Sequence, residues 1–242
     1  MISAYRTVPN PDVPVVLSHE GIHGPVIYSA NQAAKKRGVS IGDRVVDAQA
    51  IHPDLHVEGA DLEGDAQLME RLVHWARRWC PWTVQDGTDG LYLDVTGAAH
   101  LFGGEARMLH DMVQRFAMQG LTARVAMAPT PGAAQALARH HISYQITTRR
   151  DVASALSSLP VKALRLTPET TRLLNRLGLK TIGALAAVPR TALMQRFSTI
   201  PADHNPLILM DRAFGASPDP LNAPLRLSSS SRNSIAPTRS SR

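Results

Sequence analysis

A single cysteine among 242 residues excludes an internal disulfide. The sequence predicts a reducing, cytoplasmic setting on that basis. That residue, Cys80, sits in RRWCPW, which supplies no general base or other activating group for a nucleophilic thiol. No run of about eighteen apolar residues occurs, so no bilayer span and no membrane partner are expected. The opening segment MISAYRTVPNPDVP has neither the apolar core nor the small-residue cleavage site of a secretory leader. Acids are scarce in one place above all. Between Pro160 and Ile200, Glu169 alone faces Lys162, Arg165, Arg172, Arg176, Lys180, Arg190 and Arg196.

With 44% hydrophobic and 19% charged residues, the composition is that of a globular protein, long enough for one large domain or two small ones. The formal charge of +6 belongs to the C-terminal third, because Arg232, Arg239 and Arg242 extend the basic run while the remainder is slightly acidic. Concentrated positive charge suits a phosphate backbone. A solvated helix face would look the same by charge alone.

Periodicity and turn chemistry place two strands at 14–17 and 25–28 around SHEGIHG, and a short helix over Ser29–Arg37 stopped by Gly38. A helix over 44–51, a short strand at 56–58 and a longer helix over 61–79 follow. Strands at 82–85 and 90–95 flank DGTDG; a helix over 104–119, a strand at 122–128 and a helix over 132–140 come next. This order predicts an α+β fold with a mixed or antiparallel sheet. From 160 to 215 the pattern is helical, with Leu173, Leu174, Leu177, Ile182, Leu185 and Val188 as the core face. Residues 216–242, rich in Ser and Arg, read as a flexible tail.

Three motifs carry chemistry in other proteins. His19-Glu20-Gly21-Ile22-His23 has the spacing of a zinc peptidase helix, but it lies between strand-like runs with glycine inside, and a hairpin turn is the expectation. Gly103-Gly104 lacks the lysine and hydroxyl residue of a phosphate loop and reads as a helix opening. Leu177-Gly178-Leu179-Lys180-Thr181-Ile182-Gly183 joins two helices through a tight turn, the pattern of a helix-hairpin-helix. Amides in such a turn can hydrogen-bond a DNA phosphate without reading bases. Arg172, Arg176, Gly178, Lys180, Thr181 and Gly183 are therefore the expected DNA-binding residues; an ordinary helical hairpin is the plainer alternative.

The run Asp86–Glu105, DGTDGLYLDVTGAAHLFGGE, is the most informative. As a strand, 90–95 puts Leu91, Leu93 and Val95 on one face and Tyr92 and Asp94 on the other, with Asp89 at its mouth. Acids at a strand end can hold magnesium, but two alone do not establish a site.

Asp86–Gly97 resembles the palm motif of the Y-family (UmuC-like) translesion DNA polymerases, in which Ser-x-Asp-Glu precedes an aromatic-Leu-Asp-Val-Thr strand. In order along the chain, Ala30–Leu55 resembles the fingers, Arg124–Arg139 the later palm strand and helix, and Leu173–Pro189 the thumb hairpin. DVTGAAHLFGGE and TPGAAQALAR are similar to the noncatalytic ImuB subgroup. The resemblance covers residues 13 to 221. It implies a palm over 1–159 with a fingers insert near 30–60, then a helical thumb with helix-hairpin-helix over 160–215.

The departures from the family are specific. Active members hold two magnesium ions through an aspartate on the first palm strand and an Asp-Glu pair. Asp89 matches the aspartate of that pair as a vestige, but Gly90 replaces the glutamate. The first palm strand is expected to be missing, with Asp12 no substitute, and both ends of the chain look truncated against the family. The triphosphate-gripping fingers residues fall on Gln32 and Lys35, and the later palm lysines on Pro131 and Gln135. Lys35 is left as the one possible phosphate contact. No catalysis, metal or cofactor is expected. The resemblance implies an accessory role in damage-induced translesion synthesis, on duplex or primer-template DNA. The implied protein partners are a sliding clamp, a RecA-like ImuA protein and an error-prone replicative-type polymerase. An active error-prone polymerase and a nonfunctional truncated product are the rival readings.

Overall fold

The computed structural model describes residues 12–140 and 145–219. The N-terminal stretch in which a first palm strand is expected to be missing, and all of the expected 216–242 tail beyond position 219, lie outside them. The chain divides into two compact units, Met1–Ala98 and Ala99–Arg242.

In the first unit β1 (Val15–Gly21) pairs antiparallel with β2 (Gly24–Ala30), and parallel with β3 (His56–Gly59) on its other side. The HExxH segment forms this β1–β2 hairpin, with Gly21 opposite Gly24 and Ile22-His23 as its loop. A Cβ on Gly21 would meet the Gly24 carbonyl at 3.0 Å, and Gly24 has φ +99°, so the turn needs both glycines. His19 and His23 thus lie on a strand and a turn, as the glycine spacing indicates.

The helix expected from Ser29 begins later, because Ser29 and Ala30 belong to β2. Asn31 is the reason: its Oδ1 accepts from Ala34 N at 2.8 Å, capping α1 (Gln32–Lys36), and from Val15 N at 3.1 Å. After α2 (Val45–Ile51), Asp61 caps α3 (Leu62–Ala76) through Gly64 N at 2.8 Å. Val16, Ile27, Ala34, Val45 and Leu55 form the core between the three-stranded sheet and α1–α2. A separate antiparallel hairpin, β4 (Thr83–Asp86) and β5 (Gly90–Leu93), closes the unit.

The second unit opens with α4 (Glu105–Met118) and β6 (Ala126–Met127). The strand expected over 122–128 is thus reduced to two residues, held in parallel by β7 (Gln145–Ile146), which the sequence pattern does not reveal. In place of the single mixed sheet expected from the sequence, the described residues form three separate sheets. Then come α5 (Pro131–His140), the unanticipated α6 (Val152–Ser157) and a 3-10 helix at Val161–Leu164. Four helices follow: α7 (Pro168–Arg176), α8 (Ile182–Ala186), α9 (Arg190–Arg196) and α10 (Pro206–Phe214).

One core runs through this unit, joining Leu137 and Leu156 to Leu164, Leu174, Ile182, Leu185 and Phe197, so it passes across position 159/160. Each fully buried aliphatic or aromatic side chain contributes roughly 1.5–3 kcal/mol. Leu177, expected on the core face, is 48% exposed because it follows the end of α7. Thr130 Oγ1 donates to Ala213 O at 2.7 Å, fastening the start of α5 to α10. No helix among the described residues is long and apolar enough to cross a membrane.

Candidate functional site

Two places bear on the chemistry anticipated from the sequence. In the β4–β5 hairpin, Asp86 pairs with Gly90 and the turn is Gly87-Thr88-Asp89. Asp89 is exposed at that turn. The strand stops at Leu93, so Asp94, expected inside it, lies beyond its end. There its Oδ1 accepts from Thr96 N at 3.1 Å, and its own N–H donates to Trp82 O at 2.9 Å. The carboxylate is thereby committed to its own turn.

The Gly90 position, where the polymerase motif carries glutamate, has no room for a side chain. A Cβ there would stand 2.9 Å from Asp86 O and 3.2 Å from Asp86 Cβ. Among the described residues no three His, Cys, Asp or Glu side chains converge as a metal would require. The residues of the hairpin therefore do not fit the two-magnesium centre of an active polymerase. Gln32 and Lys35 are exposed on α1, and Gln135 is half-buried on α5. Cys80 is buried, its thiol pushed up by loss of solvent and by the nearby Asp94 carboxylate, consistent with an inert role.

The second place is the α7–α8 turn. Thr167 caps α7 through Thr170 N, with Pro168 in the first turn, and Gly178 (φ +80°) reverses the chain after Leu177. Thr181 Oγ1 accepts from Ala184 N at 3.1 Å, capping α8. Sequence alone assigns the turn amides as a group to phosphate. The structure separates them. The amides of Gly178, Leu179, Lys180 and Ile182 donate to Asn175, Leu174, Gly178 and Leu159 carbonyls, respectively. Those of Thr181 and Gly183 have no acceptor among the described residues.

Gly183 has a packing reason for being glycine, since a Cβ would meet Ser157 O at 2.9 Å where α8 crosses α6. Gly178 has open space beside it and is glycine for its dihedral alone. Lys180, Arg176 and Arg172 are exposed. Arg172, Arg176, Asn175 and Glu169 line a shallow depression along α7. Arg172 Nη2 lies 3.1 Å from Glu169 Oε1, so part of its charge is already answered.

One cationic neighbourhood is not visible in the sequence. Burial, then Lys162, Arg124 and Arg139 in turn, hold the His140 imidazole below the ordinary histidine range. These residues are scattered along the chain and carry no shared motif. The packing of α5 against the 3-10 helix and against β6, which Arg124 precedes, brings them together.

The comparisons with known proteins follow the same lines. A family model described as "impB/mucB/samB family" matches residues 9–139. The chain is 41% identical over 184 residues to "Protein ImuB" of Caulobacter vibrioides, covering 76% of this chain and 39% of that protein. It is 26% identical to a DNA polymerase IV of Dehalococcoides mccartyi over 94% of this chain and 58% of the relative. Among solved structures, DinB from Sulfolobus solfataricus superimposes with a TM-score of 0.72 at 19% identity, covering 86% of this chain and 61% of that one. That likeness establishes a Y-family palm-like α+β fold with helices. The chain spans about two fifths of the ImuB proteins and about three fifths of the solved polymerase chain. With more than half of its residues inside the family model, and with the palm motif and fold in agreement, this chain belongs to the impB/mucB/samB (UmuC-like, Y-family) group of proteins.

Proposed function

We propose that this chain is a noncatalytic, DNA-binding accessory of damage-induced translesion synthesis, with the role that the ImuB resemblance implies. The observation that carries the reading is Gly90 in the place of the motif's glutamate, at a position where even a Cβ would stand 2.9 Å from Asp86 O. Without that carboxylate, primer hydroxyl activation and pyrophosphate stabilisation by paired metals have no protein support at this hairpin.

Binding is assigned to the α7–α8 turn as a helix-hairpin-helix within a thumb-like region. The Thr181 and Gly183 amides face one phosphate; Lys180, Arg176 and Arg172 supply the surrounding charge. Backbone contacts of this kind are sequence-independent and strongly salt-dependent. Lys35 is a further phosphate contact in this reading. The sliding clamp, a RecA-like ImuA protein and an error-prone polymerase are the partners the family resemblance supplies, and duplex or primer-template DNA is the substrate.

The relationship to DNA polymerase IV supports the rival of an active polymerase. Primer extension with magnesium or manganese decides between them. No nucleotide addition is the expected result; incorporation above a no-enzyme control overturns the accessory reading. Replacing Lys180 and Arg176 with alanine should flatten the salt dependence of duplex binding by about 0.9 for each phosphate no longer held. An unchanged slope removes the turn from the interface.

A further inference from the structure

All three tryptophans of the chain lie between positions 75 and 82, in the segment RLVHWARRWCPW that begins at Arg71. The fold gathers them at the C-terminal end of α3. Arg71, His74, Trp75 and Arg78 stand at i, i+3, i+4 and i+7, which places them along one stripe of the helix and the turn that continues it. The opposite stripe, Met69, Leu72 and Ala76, is buried.

Trp75 is held from two sides. The edge-to-face contact with Trp79 has ring centroids 5.0 Å apart, and Trp79 is only 3% exposed. The Arg78 guanidinium lies 4.3 Å over the Trp75 ring, and its Nε donates to Trp75 O at 3.1 Å. Trp82 differs, for its side chain is on the surface of a fixed backbone. Its carbonyl accepts from Asp94 N at 2.9 Å and from the Cys80 thiol at 3.0 Å, while Thr83 Oγ1 donates to Cys80 O at 3.2 Å. The residue is 45% exposed.

Charge completes the pattern. No acid occurs from 71 to 85, and Arg71 and Arg77 form no ion pair among the described residues. Asp94, whose carboxylate lies near Cys80, is occupied by Thr96 N.

One exposed indole on a rigid support, Trp82, beside the unpaired guanidinium groups of Arg71 and Arg77 and the ring-stacked one of Arg78, matches a ligand that offers flat π-faces and anions in alternation. A single-stranded nucleic acid does so; a duplex hides its base faces, and an acidic peptide has no comparable faces. The stripe also lacks the Leu, Ile or Phe that would enter a lipid surface. We infer that the C-terminal end of α3 binds single-stranded nucleic acid. Trp82 stacks on a base, and Arg71 and Arg78 meet the flanking phosphates. This surface is separate from the α7–α8 turn and does not depend on the reading given to that turn.

The test is titration of the full chain with an oligothymidylate of roughly 12 nucleotides, followed by tryptophan fluorescence and by anisotropy of a labelled oligomer. Trp82→Ala should weaken binding about tenfold, Trp82→Phe should retain most of it, and Arg71→Ala should reduce the salt slope by about 0.7. Affinity for duplex should stay within about twofold in all three variants. Both substituted side chains are at the surface, so an unchanged melting temperature is the control, and Arg71→Ala carries the test alone should Trp82→Ala melt early. Single-strand affinity unchanged in Trp82→Ala and Arg71→Ala overturns the inference. So does loss of single-strand binding only on Lys180→Ala, or equal quenching by anionic phospholipid vesicles.

Discussion

A β-carbon placed on Gly90 would stand 2.9 Å from the carbonyl oxygen of Asp86, its pairing partner across the β4–β5 hairpin. Any side chain at this position thus forces the hairpin to shift at its first carbon. Gly90→Glu should therefore fail to restore nucleotidyl transfer. It should also lower stability by about 1–3 kcal/mol, as overpacking against backbone does. A thermal melt and a primer-extension assay on the same preparation check both parts. A variant that melts with the parent and extends a primer would contradict the steric account.

Glu169 and Arg172 are both exposed, at 73% and 71%, and their ion pair adds little to stability. In the proposed DNA-binding role, its effect falls on the charge that α7 offers. Glu169→Gln should tighten duplex binding about two- to fivefold at low salt, with the difference vanishing as screening grows. Anisotropy titrations at two salt concentrations provide the measurement.

Gly178 and Gly183 should respond differently to alanine. At Gly178 the cost is the positive φ alone, about 1 kcal/mol, with the turn otherwise intact. At Gly183 the added methyl meets Ser157 O at 2.9 Å, so α8 must move away from α6. About 1–3 kcal/mol and weaker duplex binding are expected there. Equal melting temperatures for the two variants would argue against the close α6–α8 contact.

His140 sets a pH dependence with a definite sign. Its folded pKa lies below the ordinary value, so above that value both states are neutral and it contributes nothing. As pH falls through the ordinary histidine range the unfolded chain takes the proton first, and stability declines until the lower folded pKa is passed. Urea midpoints at about pH 7.5 and about pH 5.5 should therefore differ more in the parent than in His140→Gln.

The sequence is most readable where one residue type has one structural use. Glycine within HEGIHG announces a hairpin, and the replacement of a motif glutamate by Gly90 is visible without coordinates. The α7–α8 turn follows from Gly178 and from the hydrophobic spacing around it. Less is legible where tertiary partners decide. Asn31 delays a helix because its amide also holds Val15, 16 residues away in the chain. β6 shortens because only two of its residues find a partner, in a strand with no pattern of its own. Which turn amides remain free is set by the Leu159 and Leu174 carbonyls, and no local rule gives that.

The core that joins Leu137 to Leu174 has a consequence for dissection of the molecule. The basic helices are not a portable module. Excising them at position 160 would strip Leu164, Leu174 and Ile182 of the α5 and α6 side chains that shelter them. Such a peptide would be sticky and protease-sensitive. Grafting the α7–α8 turn onto another scaffold would require carrying α5 and α6 along with it.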